Sequence, residues 1–288
     1  MGSVAVVTDS TAYLPPGVGA RWGVAEVPLH VVLGRRTGIE GVQVSPDEVA
    51  RALRERRLEV RTSRPTPAEF ARVYRATGAT DVVSVHLSGA LSGTVEAAVL
   101  AAREVAPEGI AVRVVDARTI AMGLGFAVLA AAEAAQAGRP PEQVEERARQ
   151  VARRSRLLFY VDTLEHLRKG GRIGAAAALL GGALSVKPLL RIEDGRVANL
   201  ERVRTAARAL SRLEDLVVGA AGDHQVDVSV AHLAGPDRAR HLAARLTERL
   251  AEQLGGRDVS CGELGAVLGA HVGPGMVAAC VAPRLDVD

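Results

Sequence analysis

Short apolar runs alternate with longer amphipathic stretches through the first half of the chain. Residues 3–8 and 24–33 are apolar enough for buried strands, and 81–86 and 110–116 repeat the pattern. Ser45, Pro46 and Glu48 form a capping box that starts a helix, and Thr66, Pro67 and Glu69 start another in the same way. Further helices are predicted from about 92 to 105, across 123–136, and from the proline pair at 140–141 onward. β-Branched strands separated by helices of this length predict a mostly parallel sheet with helices on both faces.

Beyond residue 153 the pattern changes. Strand-like runs at 183–192 and 196–203 are joined by Glu193-Asp194-Gly195, a hairpin signal because Asp-Gly favours positive φ. Helices at 205–220 and 236–254, a strand at 225–233 and closing strands near 266–271 and 277–281 complete an α+β region. The predicted fold class is α/β. An N-terminal mostly parallel α/β domain (1–153) packs on a C-terminal α+β domain (154–288) with antiparallel or mixed sheet, and a ligand cleft lies between them.

Composition narrows the function. The net charge of +3 is small for 288 residues, and aromatics at 2% supply no stacking platforms, which argues against nucleic acid as a partner. No apolar stretch reaches the roughly 18 residues that span a bilayer, and the first residues lack a basic flank and cleavage signal, so the expected location is cytoplasmic. Cys261 and Cys280 have no metal-type spacing, and the seven histidines are scattered without a ligand pattern, so no metal or cofactor is expected. There is no nucleophile elbow around Ser88 or Ser92 and no phosphate-binding P-loop, and Gly273-Pro-Gly275 stands too near the end of the chain to open a dinucleotide fold.

What remains is a set of loops built to hold an anion. The runs at 4–7, 82–85 and 267–272 end in TDST, HLSGALSGT and GPG, and Thr62 and Ser63 stand in RTSRPTP. Such loops present hydroxyls and N–H groups next to helix N-termini. Read alone, Ser92 reads first as a helix N-cap and Thr62 as a turn former, and His271 among glycines as a core histidine. In LEHLRKGGRIG, Arg168, Lys169 and Arg172 surround a helix end closed by Gly170 and Gly171, either neutralising its dipole or forming a positive rim. The apolar run at 175–180 and the glycines at 181–182 read as core first and as an element meeting a membrane surface second.

Together VTDST (7–11), RTSRPTP (61–67), SGALSGT (88–94), LEHLRKGGRIG (164–174), KPLL (187–190), VRT (203–205) and GAHVGPG (269–275) resemble the DegV family of fatty-acid-binding proteins, over nearly the whole chain. The resemblance implies one long-chain fatty acid held between the two domains. It also implies a non-catalytic role as the acyl-carrying subunit of a bacterial fatty acid kinase, presenting the carboxylate to a separate kinase catalytic subunit. By resemblance Thr62, Ser92 and His271 hold the carboxylate, with Ser63, Gly93, Thr94 and Gly273 in supporting loops. Arg172, Arg204 and Lys169 face the partner or its phosphate. Departures at Ala117, Met122 and Ala270 imply a thinner outer polar network, and Met276 implies a reshaped acyl tunnel. The alternatives are a small-molecule phosphotransferase, and a lipid storage or signalling protein without a kinase.

Overall fold

The computed structural model describes residues 4–56, 58–179 and 187–284. In chain order the elements are β1 (Ala5–Asp9), α1 (Val18–Arg21), β2 (Val24–Val27), β3 (His30–Leu33), β4 (Arg36–Ile39), α2 (Pro46–Glu55), β5 (Val60–Ser63), α3 (Pro67–Ala76), β6 (Asp81–His86), α4 (Thr94–Val105), β7 (Ala111–Asp116), α5 (Met122–Gln136) and α6 (Pro141–Arg154). There follow β8 (Arg156–Tyr160), α7 (Glu165–Lys169), β9 (Lys187–Glu193), β10 (Arg196–Val203), α8 (Ala206–Ala221), β11 (Val226–His232), α9 (Pro236–Arg249), α10 (Ala251–Leu254), β12 (Ser260–Glu263), α11 (Ala266–Val272) and β13 (Val277–Pro283). Residues 183–186 of the strand expected over 183–192, and the glycines at 181–182, lie outside the described residues.

The chain divides into two compact units, Met1–His30 with Ser63–Arg154, and Val31–Thr62 with Ser155–Asp288. In the first, four parallel strands run in the order β2-β1-β6-β7. Phe70, Tyr74, Ala97 and Ala101 of α3 and α4 pack against Val7 and Val82 on one face. Val6, Val83 and Val85 point the opposite way along the pleat and are fully covered too. There α5 and α6, packed on each other, contact β1, β6 and β7. Both predicted capping boxes are present, at Ser45/Glu48 and Thr66/Glu69.

The buried strand expected over 24–33 is in fact two strands. β2 joins the parallel sheet while β3 is the middle of a three-stranded sheet, β4-β3-β5. Pro28 between them has no N–H to continue a ladder, which explains the change of sheet. Residues 31–62, expected with the N-terminal domain, group with the second unit. There α2 packs on α11, and the buried Glu40 carboxylate accepts the Val267 N–H at 2.7 Å.

The second unit is built on a six-stranded mixed sheet, β10-β9-β8-β13-β11-β12, antiparallel except for the β11–β12 pair. Val228, Val230, Val277 and Ala279 of the sheet form one core with Leu213 and Val217 of α8 and Leu242 and Leu246 of α9. The β9–β10 hairpin turns on Asp194 (φ 48) and Gly195 (φ 77), as its sequence predicts. The closing strand expected near 266–271 is a helix instead, α11. Its first-turn Val267 N–H is met by Glu40, and an apolar run of that length does not by itself distinguish a buried strand from a buried helix. Of the run at 175–180, read first as core, Ala176 in the 3₁₀ segment Gly174–Leu179 is buried whereas Ala175, Ala177 and Ala178 are exposed, and residue 180 lies outside the described residues. Three residues per turn puts a single edge of the segment against β10. Among the described residues no helix is long and apolar enough to cross a membrane.

Candidate functional site

Three short elements of the second unit bring its candidate residues together. Thr62 is the third residue of β5, and His271 sits in the last turn of α11. Thr62 Oγ1 lies 2.9 Å from His271 Nε2. α11 is fixed at its start by Glu40 and at its end by Gly273, whose φ of 78° suits a residue without Cβ. A Cβ at Gly273 would also stand 2.1 Å from the His166 ring, so this glycine lets α11 and α7 approach. Burial, and secondly the Arg172 guanidinium, pull the His271 imidazole down to about 4, so it is neutral at physiological pH.

The pair lines a cavity of about 710 Å³. Leu53, Leu58 and Val60 form apolar wall, and Arg56, Arg61, Lys169 and Arg172 bring positive charge. Much of that charge is locally paired: Lys169 and Arg56 both meet Glu165, at 2.8 and 3.3 Å, and Arg61 meets Glu59 at 2.6 Å. Arg172 is half-buried and donates to the Gly170 carbonyl. α7 closes on Gly170 and Gly171 as its sequence predicts, with Gly171 at φ 71°. His166 is half-buried, and burial lowers its pKa.

The first unit carries Ser92 and Gly93, at the end of the loop before α4, and Thr94, the first residue of that helix. Gly93, not Ser92, is the N-cap, and the helix start has no side-chain cap. Ser92 Oγ accepts the Thr94 N–H at 3.3 Å and lies 2.9 Å from Thr94 Oγ1. Arg64 reaches over Gly93, donating to its carbonyl at 3.3 Å and pairing with Glu96 at 2.6 Å. Behind this loop a chain of wholly buried polar groups joins β1 to β6. Tyr74 OH meets Ser84 Oγ at 2.9 Å, Ser84 meets His86 Nε2 at 2.6 Å, and His86 Nδ1 meets Asp9 at 3.0 Å. Asp9 also accepts from the Leu87 and Thr11 N–H groups and the Thr11 hydroxyl.

Of the residues the sequence singles out, Thr62, His271, Lys169 and Arg172 thus share one cavity. Ser63 is exposed and its hydroxyl turns to the Arg64 carbonyl, and Arg204 is exposed just ahead of α8. Sequence reasoning missed Glu40, His166, Arg56 and Arg64. Arg64 was within reach, standing inside RTSRPTP, but Glu40 acts across 227 positions and no local spacing announces it.

Fold and site together define a two-unit α/β protein with a hydroxyl–imidazole pair in a partly basic cavity. A family model described as "Uncharacterised protein, DegV family" matches residues 3–284, and the chain belongs to the DegV family. A DegV domain-containing protein of Streptomyces coelicolor is 52% identical over 284 residues, 98% of this chain and 99% of the relative. A solved structure described as showing fatty acid binding of a DegV family protein from Thermus thermophilus is similar at TM-score 0.90 and 35% identity, covering 98% of this chain and 100% of that one. DegV of Bacillus subtilis, described as a fatty acid binding protein, is similar at TM-score 0.88 and 30% identity, covering 99% and 100%.

Proposed function

We propose that this protein binds one long-chain fatty acid and is itself non-catalytic. Thr62, His271 and Ser92 hold the carboxylate, and Ser63, Gly93, Thr94 and Gly273 shape the loops around them. The observation that carries the reading is the Thr62–His271 pair in its cavity, in a chain 35% identical to a protein described as binding fatty acid. Energetics favour such a ligand. A sixteen-carbon chain removes about 14 methylenes from water at roughly 0.8 kcal/mol each, about 11 kcal/mol before the costs of association. Apolar burial then supplies affinity, and the polar residues choose the head group.

The finer proposal is that the protein works in the cytoplasm as the acyl-carrying partner of a separate kinase. Lys169, Arg172 and Arg204 would face that partner or the phosphate it transfers. Support comes from the positive charge of Lys169 and Arg172 at the cavity that Thr62 and His271 line. Holding by the neutral Thr62 hydroxyl and His271 imidazole also suits a carboxylate that must later attack a phosphoryl group, because hydrogen bonds from neutral groups bind it less strongly than a bidentate ion pair.

Native mass spectrometry of the purified protein, with extraction and identification of what is released, tests the binding step. One fatty acid per chain is expected. No released lipid, together with no rise in thermal stability on adding oleate, would refute it. Mixing with a fatty acid kinase and ATP tests the second step: acyl phosphate should form and should decline for Arg172→Ala, and its failure to form with any acyl-loaded preparation would remove the kinase role.

A further inference from the structure

The Thr62–His271 contact can be made in two ways. Either the imidazole donates from Nε2 to the hydroxyl oxygen, or the hydroxyl donates to an unprotonated Nε2 and the ring proton sits on Nδ1. The surroundings of Nδ1 decide between them. This atom is buried and has no hydrogen-bond partner among the described residues. A Cβ built on Gly170 would stand 2.3 Å from it, so the Gly170 α-carbon and its hydrogens occupy the direction in which an Nδ1 proton would point. The Gly170 carbonyl is engaged by Arg172 and does not serve as acceptor. A proton on Nδ1 would therefore be a buried donor pressed on C–H groups, whereas a lone pair there meets hydrogens of weakly positive character.

We propose that His271 is held as the neutral tautomer with its proton on Nε2, and that it thereby fixes Thr62 as a hydrogen-bond donor towards the ligand head group. The imidazolium is disfavoured as well. The charged groups lining the cavity with His271 are Arg56 at the C-terminal end of α2, Glu59 and Arg61 on either side of Val60, Glu165 and Lys169 from α7, and Arg172. Both acids already hold cations, Glu59 that of Arg61 and Glu165 those of Arg56 and Lys169, and neither bonds the imidazole.

The consequence is selectivity, and it rests on the fatty acid reading above. With its oxygen engaged by Nε2–H, Thr62 offers its hydroxyl proton, and an ionised carboxylate takes that proton in a charge-assisted bond. A fatty alcohol is neutral and accepts more weakly, and its own hydroxyl proton has only the second lone pair of Thr62 Oγ1 to meet in this pair, a bond without charge assistance. Thr62 and His271 are thus head-group selectors that prefer carboxylate to alcohol on the same acyl chain.

Protein labelled with ¹⁵N-histidine, the His271 signals assigned by their loss in His271→Gln, should show Nε2 protonated and Nδ1 bare between about pH 6 and 9. Titration calorimetry should show oleate binding on the order of tenfold more tightly than oleyl alcohol, with Thr62→Val erasing most of that difference. An Nδ1–H tautomer, or an imidazolium at neutral pH, would overturn the proposal, as would equal affinity for oleate and oleyl alcohol in the unmodified protein. If oleate itself fails to bind, the fatty acid reading falls, while the nitrogen signals still decide the tautomer.

Discussion

His86 in the first unit and His271 in the second are both held close to a hydroxyl, yet they do different work. His86 is fully covered and satisfied at both nitrogens, with Ser84 on one side and Asp9 on the other, and Tyr74 ends the chain behind Ser84. Every polar atom along that chain has a partner, and it ties the ends of β1 and β6 together. His271 has Thr62 on one nitrogen and bare Gly170 on the other, and it lines a cavity. A closed polar network stabilises a core; one left open at an end, beside a cavity, keeps hydrogen-bonding capacity for something that binds.

Breaking the closed network should therefore cost the most stability. Asp9→Asn keeps the shape of the side chain but turns an amide nitrogen towards a site where four donors converge, those of Leu87, His86 and Thr11. A loss of about 3 kcal/mol or more is expected from unpaired buried donors. Urea unfolding of the variant beside the unmodified protein measures it. A loss below about 1 kcal/mol would mean that the network is not as tightly satisfied as its geometry implies.

The open site predicts a smaller effect, one that depends on pH. In the unfolded chain His271 takes up a proton near its ordinary value of 6.5, whereas in the folded protein burial postpones this to about 4. Between those values the unfolded state binds more protons, so stability falls as the pH is lowered through the window, by at most about 3 kcal/mol. His166 and His232, both lowered by burial, act in the same direction. Equilibrium unfolding at steps from neutral to pH 4 should show the decline, and His271→Gln should flatten it in part. An unchanged slope in that variant would assign the decline to the other histidines.

Local signals carried much of the fold. Capping boxes, the Asp-Gly hairpin and alternating β and α runs all describe contacts within a few residues, and the structure has them where the spacing puts them. Long-range choices were not legible. Pro28 stands where one apolar run divides between two sheets, and residues read as a strand fold as a helix whose first-turn Val267 N–H is met by Glu40, 227 positions away. The same divide runs through the site. Thr62 and His271 stood out by motif, but their 2.9 Å contact spans 209 positions, and Ser92 was offered as an N-cap where Gly93 takes that place.

Gly170 gives the finest test of the contrast between the two histidines. Its φ of −75° is ordinary helical backbone, so alanine fits the main chain and by propensity alone should add up to about 1 kcal/mol. The added methyl would nonetheless stand 2.3 Å from His271 Nδ1 and 3.1 Å from its Cε1, and the ring must turn away from Thr62 to make room. Overpacking of this kind costs about 1–3 kcal/mol, so the two effects nearly cancel and the melting temperature should shift by only a few degrees. Ligand binding has no such compensation. With the Nε2–Thr62 contact broken, oleate affinity in Gly170→Ala should fall about tenfold, one hydrogen bond's worth. Calorimetry of oleate binding, with the melting temperature taken on the same preparation, separates the two effects. Unchanged affinity in a folded variant would show that the head group does not depend on how His271 is held.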